Sequence, residues 1–562
     1  MAYFITENCS GCTACAHICP TGAISGEKEE RHQIEEQTCI DCGACGKVCP
    51  DAAVQDAFGN QVLRIKRSEW QKPFFDKQKC NGCAICLDVC PADCIALGVP
   101  GIKDLHAYPE IADPKACIGC GFCDLECPVD AIEMAVLPVI EEKIQEQKVQ
   151  QEKSTRWLLK KFSFRAIQKM MKISAMILPF RVPVILTGPG SVRTLVENIK
   201  ARGLDRILVV TDKILMDLKL LEGLQNALTE SGINYVIFDD VPPNPTIENV
   251  EAGRELYKQN KCKAIIAFGG GSPMDCAKTI GARVRNPYLP VRFMGGLFRV
   301  LIPPPPFFCI PTTAGTGSET TIAAVITNAE THEKFTILDP KLVPRIAVLD
   351  PELMVGLPPF VTATTGMDAL THAVEAYINQ NGTAYTNENS LMATKLIFEN
   401  LEKAYDDGSD LEARNKMALA SFYAGISFTR AYVGYVHAIA HRLGGLYGVP
   451  HGLANAVVLP YVLEYSRKEA EEKLAQLAIA GGLGSAGESN EVLSHRFIDT
   501  VKEMNARMNI PNYIEKLKES DIPLIVKRAF KEAHPLWPVP RIMTDEDCAD
   551  LVRKLLPPKS SV

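Results

Sequence analysis

The pattern C-x2-C-x2-C-x3-C-P occurs four times before residue 130, and it limits the fold of this chain more than any other feature. The copies are Cys9, Cys12, Cys15 and Cys19; Cys39, Cys42, Cys45 and Cys49; Cys80, Cys83, Cys86 and Cys90; and Cys117, Cys120, Cys123 and Cys127. Prolines 20, 50, 91 and 128 follow, opening the related segments PTGAI, PDAAV, PADCI and PVDAI, so the pattern is an internal repeat. Seventeen of the 21 cysteines lie in this region. No basic-then-apolar leader precedes them, so reduced ligands are expected rather than disulfides. Three thiolates two residues apart on a tight loop can converge on three irons of one cubane. Structural zinc would favour paired C-x2-C knuckles instead.

The runs resemble those of bacterial-type two-[4Fe–4S] ferredoxins, in which the fourth cysteine of a run ligates the neighbouring cluster. That resemblance implies two modules and four clusters. Cys9, Cys12, Cys15 and Cys49 would hold the first, and Cys39, Cys42, Cys45 and Cys19 the second. Cys80, Cys83, Cys86 and Cys127 would hold the third, and Cys117, Cys120, Cys123 and Cys90 the fourth. Cys94 is expected to be a small buried side chain, and Cys262, Cys276, Cys309 and Cys548 structural thiols. Residues 1–137 carry 11 Lys and Arg against 20 Asp and Glu, a net of −9 that leaves the remainder near +2. An acidic cluster-bearing segment suits docking on the basic face of a redox partner, and equally a plain solvated domain.

With 562 residues the chain is expected to hold several domains. An overall charge of −7 argues against a chain-wide nucleic-acid surface. No apolar run reaches the ~18 residues of a membrane span. A cytoplasmic protein is expected. Residues 141–154 read as a polar spacer, and Arg156–Arg181 carries seven basic and no acidic side chains among apolar ones. That segment is expected to be a helix packed on the following domain with its lysines outward, or else lying on an anionic membrane.

From Pro183 onward, strand-like runs (VPVILTG, RILVVTD, KAIIAFGGG) alternate with helical stretches, which predicts a parallel, doubly wound α/β sheet. From about residue 360 helical periodicity takes over. Gly269, Gly270, Gly271 and Ser272 sit between a strand and a helix opened by Pro273, where exposed N–H groups favour a pyrophosphate. Asp212 ends RILVVTD, where a carboxylate can accept from an adenosine ribose. Asp368 and His372 share one helical face, and His437, His441 and His451 follow within fifteen residues of one another. A carboxylate with imidazoles suits Fe(II) or Zn(II), but spacing does not say which of His437 and His441 binds.

GGGSPMDCAK, PTTAGTGSE, TGMDALTHAVEAY and HAIAHRLGGLYGVPHG together resemble the signatures of iron-containing (group III) alcohol dehydrogenases. The resemblance implies metal on Asp368, His372, His437 and His451, with His441 lining the site as a proton-relay candidate. It implies NAD contacts at Asp212, Asn244, Gly270, Gly271, Ser272, Thr312, Thr313 and Lys334. The Pro303–Pro306 run departs from the family pattern and is expected at the cleft rim.

The expected architecture is two α+β ferredoxin-like modules (1–60 and 61–137), a linker with the basic helix (138–181), an α/β NAD-binding domain (182–358) and an all-helical metal domain (359–562). The expected activity is reversible NAD-linked oxidation of an alcohol to an aldehyde or ketone. The clusters would exchange electrons with a partner flavoprotein or other redox protein, and the enzyme would be a homo-oligomer. Two alternatives are modules that only dock or assemble a complex, and an electron-transfer subunit whose dehydrogenase half is a scaffold.

Overall fold

In all four cysteine runs the residues on either side of the second cysteine have left-handed backbones. These are Gly11 and Thr13, Asp41 and Gly43, Gly82 and Ala84, and Gly119 and Gly121, with φ between 60° and 83°. Such turns curl the loop so that successive N–H groups face its interior, an arrangement suited to an anionic cluster. Each loop then feeds a short helix: Ala14–Ile18, Ala44–Val48, Ile85–Asp88 and Phe122–Leu125. The computed structural model describes residues 2–99, 106–136, 138–140, 157–173, 181–330 and 334–558. It divides into the units Met1–Leu159 and Lys160–Val562.

Strand pairing groups the runs two by two. Phe4–Ile5 pairs with Val54–Gln55, and Ile24–Ser25 with Gln33–Ile34, closing a module around the first two runs. Lys72–Phe75 pairs with Ile132–Ala135, and Ile95–Leu97 with Pro109–Ile111, closing a second around the other two. Both are the α+β ferredoxin-like arrangement.

In the second unit, six parallel strands stand in the order Asn234–Phe238, Arg206–Val210, Ala264–Gly269, Phe307–Pro311, Ile346–Leu349, Val184–Thr187. Alternate residues serve cores on opposite faces. Ile265 and Ala267 pack into one, Ile266 and Phe268 into the other, as a sheet covered on both sides requires. Arg206–Val210 and Ala264–Gly269 are adjacent, yet their following strands lie on opposite sides, so a topological switch point falls between them. A separate three-stranded sheet (Gly296–Leu297, Lys334–Leu338, Ala323–Thr327) flanks this layer and was not foreseen.

The Pro303–Pro306 expectation is corrected. Pro306 O accepts from Ile265 N, and Pro304 and Pro305 lie against Gly281, so the run sits at the N-terminal ends of the strands. The glycine loop lies at the opposite, C-terminal ends, where parallel sheets present their crevices.

From Pro359 the chain is helical. Pro359–Ile378 is buried almost throughout from Thr362 on, against Ala384–Asp406, Leu411–Ala431 and His451–Ala480. The basic helix, described over 157–173, docks on this unit. Arg165 donates to Val539 O and Pro540 O, at 2.7 and 2.8 Å, and Gln168 to Pro535 O and Trp537 O. The polar spacer and residues 174–180 lie outside the described residues.

Candidate metal centre, dinucleotide cleft and cluster loops

The buried helix Pro359–Ile378 carries Asp368 and His372 one turn apart. His437 comes from Tyr435–Tyr447, and His451 opens His451–Ala480. One ligand atom from each of the four lies within 4.8 Å of the others. Asn455 Nδ2 lies 2.6 Å from Asp368 Oδ1, 3.2 Å from His437 Nε2 and 3.1 Å from His451 Nε2, so these lone pairs aim at one point. Asp368, His372 and His437 are buried, while the His451 side chain keeps 41% exposure and marks the open side. Burial holds His372 down at about 4, His451 at about 3 and His437 well below its ordinary range, so all three are neutral imidazoles. One carboxylate and three neutral imidazoles form a donor set that fits a divalent transition metal.

Two supporting groups were not singled out from sequence. Glu375, one turn beyond His372, faces His437 Nδ1 at 2.7 Å and accepts from Gly434 N and Val436 N, both at 2.7 Å. Burial raises this carboxyl to about 8, yet both oxygens act as acceptors, which fixes Nδ1 as the protonated nitrogen and turns Nε2 to the site. His441 Nδ1 lies 2.8 Å from Glu532 Oε1, and Arg442 donates to Glu532 Oε2 at 2.5 Å. Burial opposes ionisation of Glu532, but His441 and Arg442 outweigh it and hold its carboxyl below the usual range. The His441 ring stacks on His451, with centroids 5.3 Å apart.

At the switch point, Gly270 caps the helix Gly271–Arg285 and Thr312 N donates to Gly269 O at 3.2 Å. A Cβ at Gly271 would stand 3.3 Å from Thr316 Cγ2, a tight approach, whereas one at Gly270 would make only ordinary contact with Thr313 Oγ1 at 3.6 Å. Lys334 Nζ donates to Asn244 Oδ1 at 2.6 Å, and Asn244 N to Ser272 Oγ at 3.4 Å, which gathers three of the expected dinucleotide contacts. Asp212 caps Lys213–Asp217, its Oδ1 accepting from Leu215 N at 3.0 Å. Lys278, fully buried, donates to Ser318 O, Thr321 Oγ1 and Ala323 O at 2.7–2.8 Å, clamping the PTTAGTGSE loop to the helix.

In the cysteine-rich unit, one small cavity is lined by Cys19, Cys39, Cys42 and Cys45. Another is lined by Cys90, Cys117, Cys120 and Cys123, with Cys94 beside them. Both sets combine three cysteines of one run with the fourth of its neighbour. Cys86 lies near Cys80, Cys83 and Cys127, and Cys49 shares an apolar cluster with Cys9, Cys15, Cys19 and Cys45. Burial pushes the thiols of Cys15 and Cys86 up to about 11, and those of Cys45 and Cys123 to about 12. Thiolates there need a cationic partner, and cluster iron fits.

Comparison with known proteins agrees with both halves. The model of the iron-containing alcohol dehydrogenase family matches residues 183–351, and that of the C-terminal domain of the same family matches 362–556. The 1,3-propanediol dehydrogenase of Citrobacter freundii is 39% identical over 371 residues, 65% of this chain and 95% of the relative. The chain belongs to the iron-containing alcohol dehydrogenase family. It is an oxidoreductase acting on CH–OH, in a family that binds NAD and a metal. A second family member, the NAD-dependent methanol dehydrogenase of Bacillus methanolicus, is 37% identical over 67% of this chain and 99% of its own length. The crystal structure of a 1,3-propanediol oxidoreductase superposes with a TM-score of 0.65 at 38% identity, covering 67% of this chain and all of that one. The N-terminal part matches 4Fe–4S dicluster domains at 8–53 and 32–97 and a 4Fe–4S binding domain at 111–133. The 32–97 match straddles the two modules that strand pairing defines. No helix among the described residues is long and apolar enough to cross a membrane.

Proposed function

We propose that this chain interconverts an alcohol and an aldehyde or ketone with NAD, and that its four clusters exchange electrons with a separate redox protein. The observation that carries the first part is the convergence of Asp368, His372, His437 and His451. These four would hold Fe(II) or Zn(II), with His451 toward the cleft. A metal bound there supplies Lewis acidity to the substrate oxygen, and NAD accepts the hydride. The chain's own residues do the rest. Gly270, Gly271 and Ser272 present a helix N-terminus to the pyrophosphate, and Thr312 and Thr313 flank it from the neighbouring strand. Asp212 takes the adenosine ribose with the oxygen that its cap leaves over, while Asn244 and Lys334 close the other side. The alcohol gives up a hydride and one proton; His441 relays the proton, its ring oriented by Glu532. Glu375 keeps His437 in the ligating tautomer.

The domain bounds we assign are 1–60, 61–137, 138–181, 182–358 and 359–562. A reducing, cytoplasmic setting best fits an unpaired-thiol, cluster-bearing enzyme, and a homo-oligomer remains the assembly we propose. Family members named for methanol and 1,3-propanediol support a short primary alcohol or its aldehyde as substrate.

His451→Ala tests the metal assignment. It should lose the catalytic metal and at least ~100-fold in NAD-linked turnover while keeping the cluster absorbance. Full turnover in that variant would overturn the assignment.

A further inference from the structure

Three side chains favour one cluster site over the other three. Cys94, 2% exposed, lies with its Sγ 3.4 Å from Cys90 Sγ and packs in the same buried cluster as Cys117, two ligands assigned to the fourth cluster. The other repeats carry alanine at this position, Ala23, Ala53 and Ala131, so the thiol is an addition specific to this site. Lys72, 4% exposed, donates to Cys117 O. Lys47 reaches across from the first module and donates to Gly119 O at 2.7 Å, inside the fourth run. A Cβ at Gly119 would stand 2.8 Å from Gln71 O, so this close approach is built for glycine.

Lys47 also joins the two modules at one point. Cys42 of the second cluster site and Cys120 of the fourth pack against the same buried trio, Ala44, Trp70 and Ile118. Lys47 and Lys72 flank the Trp70 ring, at 5.8 and 5.7 Å from its centroid. Beside the first run an exposed acid is held: Ser10 N donates to Asp51 Oδ2 at 3.3 Å.

We propose that the fourth cluster is the highest-potential centre of the array, and that it exchanges electrons with the second across the Trp70 junction, giving the spatial order first, second, fourth, third. Reduction adds one negative charge to a cluster. A thiol donating to ligand sulfur, the buried Lys72 ammonium and the half-buried Lys47 ammonium stabilise that charge and raise the potential. Each transfer moves one electron between cubanes, with no bond made or broken; the first electron comes from a one-electron donor such as a reduced flavoprotein. The inference rests on the cluster assignment above.

Potentiometric titration of the full anaerobic chain with dithionite, followed by electron paramagnetic resonance, tests it. Iron and sulfide analysis of every sample separates loss of a cluster from a shift in potential. One cluster should be reduced ahead of the others. Cys94→Ala, which installs the residue of the other repeats, should shift that cluster alone downward by roughly tenfold in its reduced-to-oxidised ratio, ~59 mV for one electron. Cys94→Ser, keeping a donor, should restore much of the shift. Lys47→Met should lower two midpoints, those of the second and fourth clusters. Four unchanged midpoints in Cys94→Ala with full iron content, or a shift confined to the last cluster reduced, would overturn the proposal. So would a Lys47→Met shift in only one cluster.

Discussion

His437 is held on both sides of its ring, by Glu375, which faces Nδ1, and by the Asn455 amide, whose Nδ2 donates to Nε2 at 3.2 Å. The ring therefore cannot change tautomer without losing a buried hydrogen bond, and the site is set up before metal arrives. Glu375→Gln keeps the shape but removes the charge, and its amide N–H can oppose the ring donor. Metal affinity should fall 10- to 100-fold, measured by competition with a chelator, while the fold persists. At the other end of the cleft, Asp212 should repel the 2′-phosphate of NADP by on the order of a few kcal/mol. Glycine at a helix N-cap costs only a few tenths of a kcal/mol, so Asp212→Gly should fold and narrow the preference for NAD in kcat/KM. An unchanged preference would remove Asp212 from the ribose site. Asp368 and His372 were legible because four-residue spacing on a helix puts both on one face. Glu375 was not, since a glutamate three residues farther on reads as ordinary helix surface until His437, 62 residues away, is seen against it.

Elements hold the site through backbone proximity as much as through side chains. The loop Pro311–Glu319 is pinned by Lys278 on one side and by the helix Leu411–Ala431 on the other, where Gly317 meets Gly425. A Cβ on Gly425 would press on Thr320 Oγ1 and lie 2.9 Å from Gly317 O. Gly425→Ala should therefore cost about 1–3 kcal/mol in a denaturant titration of the dehydrogenase unit and raise KM for NAD. Wild-type stability would show that the loop gives way freely. The strand and helix alternation after Pro183 was readable because long apolar runs fill a sheet buried on both faces. The small sheet of Ala323–Thr327 and Lys334–Leu338 was not, because its half-buried residues mix with polar ones and its pairing depends on a neighbouring layer. The position of the Pro303–Pro306 run was misread for a related reason. Sequence places it just before a strand but does not say which end of the sheet forms the crevice.

At the scale of the molecule, two kinds of electron chemistry share one chain. Hydride transfer moves two electrons together, whereas each cubane ordinarily takes one, and a flavin normally joins such currencies. Among the described residues we assign one dinucleotide cleft, and we assign it to NAD. We therefore propose that the dehydrogenase and the clusters run separate circuits until a flavoprotein partner connects them. The repeat made the clusters legible at once, but it says nothing of this division, which follows from electron count. The most direct measurement is anaerobic absorbance of the purified, flavin-free chain mixed with NAD and a panel of short alcohols and diols, reading the reduced nicotinamide band and the visible cluster band together. The account predicts that NADH accumulates while the clusters stay oxidised, and that dithionite then bleaches them. Rapid cluster bleaching by alcohol and NAD alone, or no NADH from any alcohol with the metal site filled, would contradict it.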